Sequence, residues 1–137
     1  MIGLDTNVIV RAIVDDPAEP GQCAAAGRVF RALSPTDPGF ISLVTLVEVC
    51  WVLRASFGFS RADVAGAVMA LASRVDLVFE QYDRVYAAAH QAARLNRDIP
   101  DAIIAAAGAA AGCSRTVTFD HRAADLPGME LLDADLS

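Results

Sequence analysis

Short apolar segments alternate along the chain with longer segments in which apolar residues recur at helical spacing. The short segments predict strands at residues 1–4, 40–41, 75–79, 115–119 and 129–132. The helical spacing predicts helices at residues 22–33, 44–57, 60–73, 83–95 and 102–111. Strands that alternate with helices are typical of an α/β fold whose mostly parallel sheet is covered on both faces. We therefore expect a three-layer α/β/α sandwich.

Turn-forming residues separate these segments. Residues 96–100 predict a loop, and residues 121–127 predict a turn. Ser60 and Asp63 have the spacing of a capping box, which predicts the start of a helix. The sequence shows no internal repeat and no linker, so we expect a single domain over residues 1–137.

The composition is that of a folded chain. Hydrophobic residues make up 55% and charged residues 20%, which gives enough apolar surface to offset chain entropy. The longest uncharged apolar segment, residues 102–113, is shorter than the roughly 20 residues of a membrane span. No basic stretch precedes an apolar core at the N-terminus, so we expect no secretory signal, no membrane partner and a cytoplasmic location.

The net charge of −6 argues against a protein that coats nucleic acid, because such proteins are basic. It allows a nucleic-acid enzyme, since clustered acids that hold divalent metals also make a chain acidic. All 11 basic residues are arginine. The three cysteines have no zinc-binding spacing, which predicts free thiols.

Two aspartates directly follow predicted strands: Asp5 after the first, and Asp120 after residues 115–119. Ligands in open parallel sheets bind at the carboxyl ends of the strands, so both acids are candidates for one site. Each could instead be a helix N-cap or a loop acid, as aspartate often is.

Glu48 stands in the middle of a predicted helix whose other positions are almost all apolar. Residues 46, 49, 50 and 53 share one face, and residues 44, 47, 51 and 55 bracket another. We therefore expect Glu48 to be enclosed, and a buried carboxylate is costly unless it is paired or holds a metal. The alternative is a salt bridge to Arg54 or another arginine.

Asp98 and Asp101 stand at a predicted helix start. In a structural interpretation, Asp98 is the N-cap and Asp101 is an acid favoured by the helix dipole. In a functional interpretation, Asp101 points from the first turn into the same acidic cluster.

Several carboxylates without a lysine to neutralise them would repel each other, and a hard divalent cation removes that repulsion. Mg²⁺ and Mn²⁺ prefer oxygen ligands. One or two such ions can lower the pKa of a bound water and orient its attack on phosphorus. The acids would then bind metal and accept a proton from the water.

Four arginines near these acids could contact phosphate groups: Arg11, Arg97, Arg115 and Arg122. Arg122, two residues after Asp120, is the first candidate and Arg11 the second, although each could pair with a surplus acid. We expect no histidine catalysis, because His90 and His121 lie in no triad pattern.

Four segments together match the pattern of a known family: residues 2–11, 42–53, 98–105 and 118–120. In this order and at these separations they resemble PIN-domain nucleases, especially the VapC toxins of bacterial toxin–antitoxin pairs. The similarity runs over nearly the whole chain. Each segment alone is a weak signal, but four in register are specific.

The resemblance implies a parallel sheet in the order 3-2-1-4-5 and cleavage of RNA phosphodiesters that depends on Mg²⁺ or Mn²⁺. It implies that Asp5, Glu48, Asp101 and Asp120 are the catalytic and metal-binding acids. Asp98 is a further metal ligand, ranked below Asp101.

The resemblance also suggests substrate contacts and partners. Thr6 and Asn7 would orient Asp5, Thr118 would bond a ligand or water, and Arg11 and Arg122 would contact RNA. The implied partners are an RNA substrate, a second copy of the chain and a VapB-type antitoxin that covers the site.

Three other functions are compatible with an α/β fold that carries acids at its strand ends, and each makes its own demand on the sequence. A phosphatase with an aspartyl nucleophile would need an acid where Asn7 stands. A phosphate-accepting signalling domain would need a late lysine, and the sequence has none. A PIN fold that binds RNA or protein without cutting would have the same acids in an unproductive geometry.

Overall fold

The computed structural model describes residues 1–133, which form two compact units. The first unit spans residues 1–82, and the second begins at Asp83. Within the described residues, no helix is both long enough and apolar enough to cross a membrane. Each predicted strand and helix falls inside one of the two units.

The first unit contains strands and helices in alternation. They are β1 (Ile2–Gly3), α1 (Thr6–Ile13), α2 (Pro20–Ala32), β2 (Gly39–Ile41), α3 (Leu43–Phe57), α4 (Arg61–Ala72) and β3 (Leu77–Phe79). The strands are parallel and lie in the order β1-β2-β3. Gly39 of β2 pairs with Ile2 on one side and with Leu77 on the other, so β2 is the middle strand.

Local sequence signals explain several of these boundaries. The predicted capping box at α4 is present, with Ser60 and Asp63 each accepting the other's backbone N–H. Helix α3 ends at Gly58, whose φ of 67° is a left-handed conformation that glycine adopts at little cost. The polar residues before Val8 are the N-cap Asp5 and the first turn of α1.

The core of the first unit holds α1 in place. Helix α1 packs against α2 and α3. Large side chains with almost no exposed surface include Ile9, Val10, Ile41, Leu46, Leu53 and Val68. Burial of each such side chain contributes roughly 1.5–3 kcal/mol, so the segment that carries Asp5 is firmly anchored.

The second unit contains α5 (Tyr82–Leu95, except its first residue), α6 (Ile99–Ala110), β4 (Thr116–Thr118), a short 3-10 helix (Ala123–Asp125) and β5 (Met129–Leu131). Strands β4 and β5 are parallel. The predicted loop 96–100 is too long, because Pro100 fits the first turn of α6, where its missing N–H has no partner to lose. The predicted turn 121–127 contains the 3-10 helix.

The α/β class is confirmed, because helices alternate with parallel strands. The orders 3-2-1 and 4-5 are both present, each as its own hydrogen-bonded sheet. The pairing of β1 with β4 that would complete the order 3-2-1-4-5 stays a prediction, as do the three layers and the single domain.

Gly108 allows α6 to pack closely against β4. A Cβ at this position would overlap the hydroxyl oxygen of Thr116. We expect Gly108→Ala to lower the free energy of unfolding by about 1 kcal/mol. Overpacking costs about 1–3 kcal/mol, and the gain in helix propensity offsets at most about 1 kcal/mol of that. Urea unfolding measures the change.

Gly66 provides the matched control, because it lies within α4 and a Cβ there would meet nothing within 4 Å. Gly66→Ala should therefore raise the free energy of unfolding by roughly 0.5–1 kcal/mol. If Gly108→Ala raises the free energy of unfolding as much as Gly66→Ala does, then a Cβ at position 108 does not clash with Thr116.

Arg74 and Asp76 form a two-pronged ion pair just before β3. Nε and Nη2 of Arg74 each donate to a different carboxylate oxygen of Asp76, both at 2.8 Å. These hydrogen bonds lower the pKa of Asp76 and raise the pKa of Arg74. The folded-state pKa of Asp76 is thus below its unfolded value of about 3.9. The pair's contribution to stability is therefore complete above that unfolded value and is lost as the pH falls through the folded value.

We expect Asp76→Asn to lower the free energy of unfolding by up to about 1 kcal/mol at pH 7, as for other solvent-exposed pairs. The difference from the wild type should shrink as the pH falls below 4, which urea unfolding at several pH values measures. Asp15→Asn is the control, because Asp15 is exposed and forms no ion pair within residues 1–133. A difference that stays constant down to pH 3 would assign the effect to something other than this ion pair.

Candidate active site

Asp5 lies where β1 ends and α1 begins, as the sequence predicts. It is the N-cap of α1, and its Oδ1 accepts a 2.8 Å hydrogen bond from the Thr6 amide. The carboxylate is thereby held at a helix N-terminus, where the helix dipole stabilises negative charge. The residue is exposed, so a ligand can reach it. Asp5 is thus both a helix N-cap and an acid beyond the end of a strand, the two roles that the sequence allowed.

Thr6 connects Asp5 to Glu48. Its amide bonds to Asp5, and its hydroxyl donates to Glu48 Oε2 at 2.6 Å across 42 residues of sequence. Thr6 is only 7% exposed, so its hydroxyl is an internal link rather than a surface group that meets substrate. One buried residue thus holds two carboxylates from distant segments.

The prediction that Glu48 is enclosed is wrong, because the residue is exposed. Helix α3 buries the face that the spacing indicated, formed by Leu46, Val49, Cys50 and Leu53. Its other face stands in solvent although it is largely apolar, and Glu48 lies there. Apolar neighbours in sequence did not fix the burial of Glu48, because apolar side chains also contribute to protein surfaces.

The alternative salt bridge to Arg54 is not formed in the part of the chain that the structure describes. Arg54 instead donates from Nη1 to the carbonyl oxygen of Phe59 at 3.2 Å. Glu48 therefore keeps one bond from Thr6 and otherwise faces solvent. A carboxylate in this position can take up a cation.

Asn7 and Arg11 lie along a cleft of about 310 Å³ between α1 and α2. Arg11 Nε donates to Gln22 Oε1 at 3.2 Å, and its Nη1 lies 3.3 Å from Asp16 Oδ2. The guanidinium also lies 5.9 Å from the centre of the Phe57 ring. Arg11 is therefore already held by three neighbours, whereas Asn7 is exposed.

Asp98 and Asp101 lie at the start of α6, as predicted. Asp98 occupies the N-cap position but makes no side-chain capping hydrogen bond, and Asp101 lies in the first turn. Both residues are partly buried. The Asp98 carboxylate therefore does not cap α6, contrary to the structural interpretation of this residue.

Asp120 follows β4, as predicted, and its carboxylate caps the next turn. Oδ1 accepts hydrogen bonds from the amides of Arg122 at 2.8 Å and Ala123 at 3.4 Å. The Asp120 amide donates to the Thr118 hydroxyl at 3.0 Å. Thr118 thus fixes the backbone of Asp120, and both Asp120 and Arg122 remain exposed.

Within the second unit, α6 packs against β4. A short connection joins them, and Gly108 near the end of the helix lies against Thr116 at the start of the strand. Asp101 stands at the start of this helix and Asp120 just beyond this strand, and their convergence stays a prediction.

The four candidate arginines differ in their partners. Three are paired with an acid: Arg11 with Asp16, Arg97 with Asp125, and Arg115 with Glu130. Arg122 forms no ion pair with any residue from 1 to 133 and is exposed, so it is the arginine best placed to meet a phosphate.

The acids fit a hard divalent cation in the chemistry of their donors, because all of them offer carboxylate oxygens. Among residues 1–133, no three side chains of histidine, cysteine, aspartate or glutamate form a group that could hold a metal ion. Magnesium commonly takes only one or two protein carboxylates, together with waters and substrate phosphates. Asp5 and Glu48, linked through Thr6, can provide that number.

An α/β fold with carboxylates beyond its strand ends defines a class of protein whose ligands bind at the carboxyl edge of a parallel sheet. The chain belongs to the PIN domain family, whose sequence profile matches residues 2–129. PIN domains are in general nucleases and commonly use divalent metal ions. No curated protein and no solved structure matches the chain significantly.

Sequence reasoning missed two contacts of this region. It assigned Thr6 to Asp5 alone, and it gave no role to Gln22, whose amide oxygen is bound by Arg11. Both contacts join different elements, so only the folded arrangement reveals them.

Proposed function

We propose that this protein is an endoribonuclease that hydrolyses RNA phosphodiesters with Mg²⁺ or Mn²⁺, and that it is the toxin of a VapBC-type toxin–antitoxin pair. The observation that carries the proposed catalysis is the link through Thr6, which bonds to Asp5 and Glu48 at once. Carboxylate oxygens held in this way are the ligands that a hard divalent cation prefers. The four-segment resemblance supports the assignment as a toxin.

In the proposed reaction, Asp5, Glu48, Asp101 and Asp120 are the catalytic and metal-binding acids, with Asp98 as a further metal ligand. The carboxylates would hold a divalent cation, which would supply a bound water of lowered pKa and offset the charge of the phosphate. One of the carboxylates accepts the proton that the attacking water loses. The oxygen of the water bonds to phosphorus, one P–O bond breaks, and the leaving oxygen takes a proton from solvent.

Substrate contacts come from polar residues near these acids in the sequence. Arg122 offers a planar guanidinium to an RNA phosphate. Asn7 offers an amide on the first turn of α1, and Thr118 holds the Asp120 backbone. Arg11 acts beside Asn7, although its charge is shared with Asp16.

We further propose that the protein acts in the cytoplasm as a homodimer and is silenced by a VapB-type antitoxin that covers the site. Exposed apolar side chains support a protein partner, since binding would remove their surface from water. Val75 is 80% exposed, and Ile104 and Phe119 are also exposed.

One observation favours a second candidate, a PIN fold that binds RNA or protein without cutting. The described residues contain no ready group of three metal-binding side chains. Such a protein would gain no thermal stability from Mg²⁺ or Mn²⁺, whereas a metal-binding nuclease would.

The proposed chemistry is tested by analysing the ends of RNA cut in Mg²⁺. Attack by water leaves a linear phosphate monoester, whereas attack by the neighbouring 2′-hydroxyl leaves a 2′,3′-cyclic phosphate. We expect linear ends, and continued cutting when the 2′-hydroxyl at the cleaved position is replaced by hydrogen. Cyclic ends would contradict the mechanism. Hydrolysis of a phosphomonoester but not of RNA would instead indicate another metal-dependent phosphohydrolase.

A further inference from the structure

Helix α3 carries an exposed row of residues that we call the α3 stripe: Val44, Glu48, Trp51 and Ala55. Residues three and four positions apart share one face of a helix. Val44 is 69% exposed and Trp51 is 63% exposed, and the other two are exposed as well. The stripe therefore places a large aromatic ring in solvent beside one of the candidate catalytic acids.

Trp51 lies one helical turn from Glu48, the acid that Thr6 binds. Trp51 lies three residues after Glu48, which is about 4.5 Å along the helix axis. The Thr6 hydroxyl fixes the Glu48 carboxylate at this point of α3. No hydrogen bond joins the indole N–H of Trp51 to another residue between 1 and 133, so both the ring face and its donor are available to a ligand.

We propose that the Trp51 ring is a stacking platform for one unpaired base of a single-stranded RNA substrate. The inference rests on the proposed function, because it takes the Glu48 carboxylate as the place where RNA is cut. Unpaired bases commonly stack on exposed aromatic side chains of RNA-binding proteins. Stacked nucleotides advance by about 3.4 Å per strand residue. A base on Trp51 and a phosphodiester at Glu48 can therefore belong to neighbouring nucleotides.

The carboxylate in the middle of the stripe favours RNA over a second protein copy as the occupant. A second copy of the chain that covered Val44 and Trp51 would also cover Glu48, whose one hydrogen bond comes from the Thr6 hydroxyl. Removing a charge without an ion-pair partner from water is unfavourable. A flat base can cover the indole alone and leave Glu48 accessible. Stacking also needs no particular base, since every base has a π-face.

The sequence contains a single tryptophan, so intrinsic tryptophan emission reports on Trp51 alone. The wild-type protein is titrated in EDTA with an unstructured RNA of about eight nucleotides, which carries a label for fluorescence anisotropy. We expect saturable quenching of the tryptophan emission over the same RNA concentrations at which the anisotropy rises. A duplex of the same sequence should quench far less, because its bases are already stacked on each other.

Variants separate stacking from general surface effects. We expect Trp51→Ala to weaken RNA binding roughly 10-fold by anisotropy, and Trp51→Phe to restore most of the affinity. Val75→Ala, which trims another exposed apolar side chain of the first unit, should leave the affinity unchanged. The exposure of Trp51 means that these substitutions should not disturb folding, which circular dichroism verifies.

Three results would overturn the proposal: RNA that does not bind, RNA that binds without changing the emission, or unchanged affinity in Trp51→Ala. A further contradicting result is emission that depends on protein concentration without RNA, which would show a second copy on the stripe. These outcomes are independent of catalysis, because no cutting is needed. A protein that stacks RNA on Trp51 but never cleaves it keeps this inference and loses the proposed function.

Discussion

Asp5→Asn should reduce the rate of metal-dependent RNA cleavage by at least about 100-fold, a loss typical of a group that transfers protons or holds charge in the transition state. The variant removes one charge while keeping the shape of the side chain. Asparagine is as good an N-cap as aspartate, so α1 should still begin at Thr6. Single-turnover cleavage measures the rate, and thermal unfolding shows whether the fold survives.

The control for this variant is Asp15→Asn, which makes the same chemical change at an exposed aspartate after α1. It should cut RNA at the wild-type rate and unfold at the wild-type temperature. The assignment of Asp5 to the site fails if Asp5→Asn cleaves as fast as Asp15→Asn while both proteins are folded.

Thr6→Val should lower the cleavage rate by roughly 10-fold to 100-fold, the range found when a partner that orients a metal ligand is lost. Valine has nearly the shape of threonine but cannot donate the 2.6 Å hydrogen bond to Glu48. The free energy of unfolding should fall by only about 1 kcal/mol, because one hydrogen bond contributes about that much. Cleavage rates at several Mg²⁺ concentrations should show that more metal is needed for half-maximal activity.

Two comparisons distinguish positioning from a merely structural effect. Thr6→Ser keeps the hydroxyl and should recover most of the activity, even though it loses a buried methyl group. The loss in Thr6→Val should be small when Glu48→Gln is already present, because residues that act through one contact are not additive. Equal losses in Thr6→Ser and Thr6→Val, or additive losses with Glu48→Gln, would show that Thr6 does not act through Glu48.

The strand ends and helix faces were predictable from sequence because they depend on local spacing. Asp5 and Asp120 directly follow apolar segments, and parallel strands end where such acids stand. The buried face of α3 was predicted by the spacing of Leu46, Val49 and Leu53. Pro100 was assigned to a loop because proline generally breaks helices, although the first turn accepts it.

The exposure of Glu48 and its bond to Thr6 were not predictable, because both depend on which face of α3 meets another element. The apolar residues around Glu48 are compatible with two packed faces or with one. The structure packs one, and the other face exposes Val44 and Trp51 beside the acid. Burial therefore gives no support to a functional role for Glu48. The support comes instead from its hydrogen bond to Thr6, which is 42 residues away in the sequence.

Metal dependence of cleavage tests the central claim most directly. A mixed-sequence single-stranded RNA is incubated with the purified protein in Mg²⁺, in Mn²⁺ and in EDTA, with Asp5→Asn as a guard against contaminating nucleases. We predict cutting in either metal, no cutting in EDTA, and recovery when Mg²⁺ is added in excess of the chelator. Cutting by the wild type that continues undiminished in EDTA and is absent from Asp5→Asn would contradict metal-dependent hydrolysis by these acids.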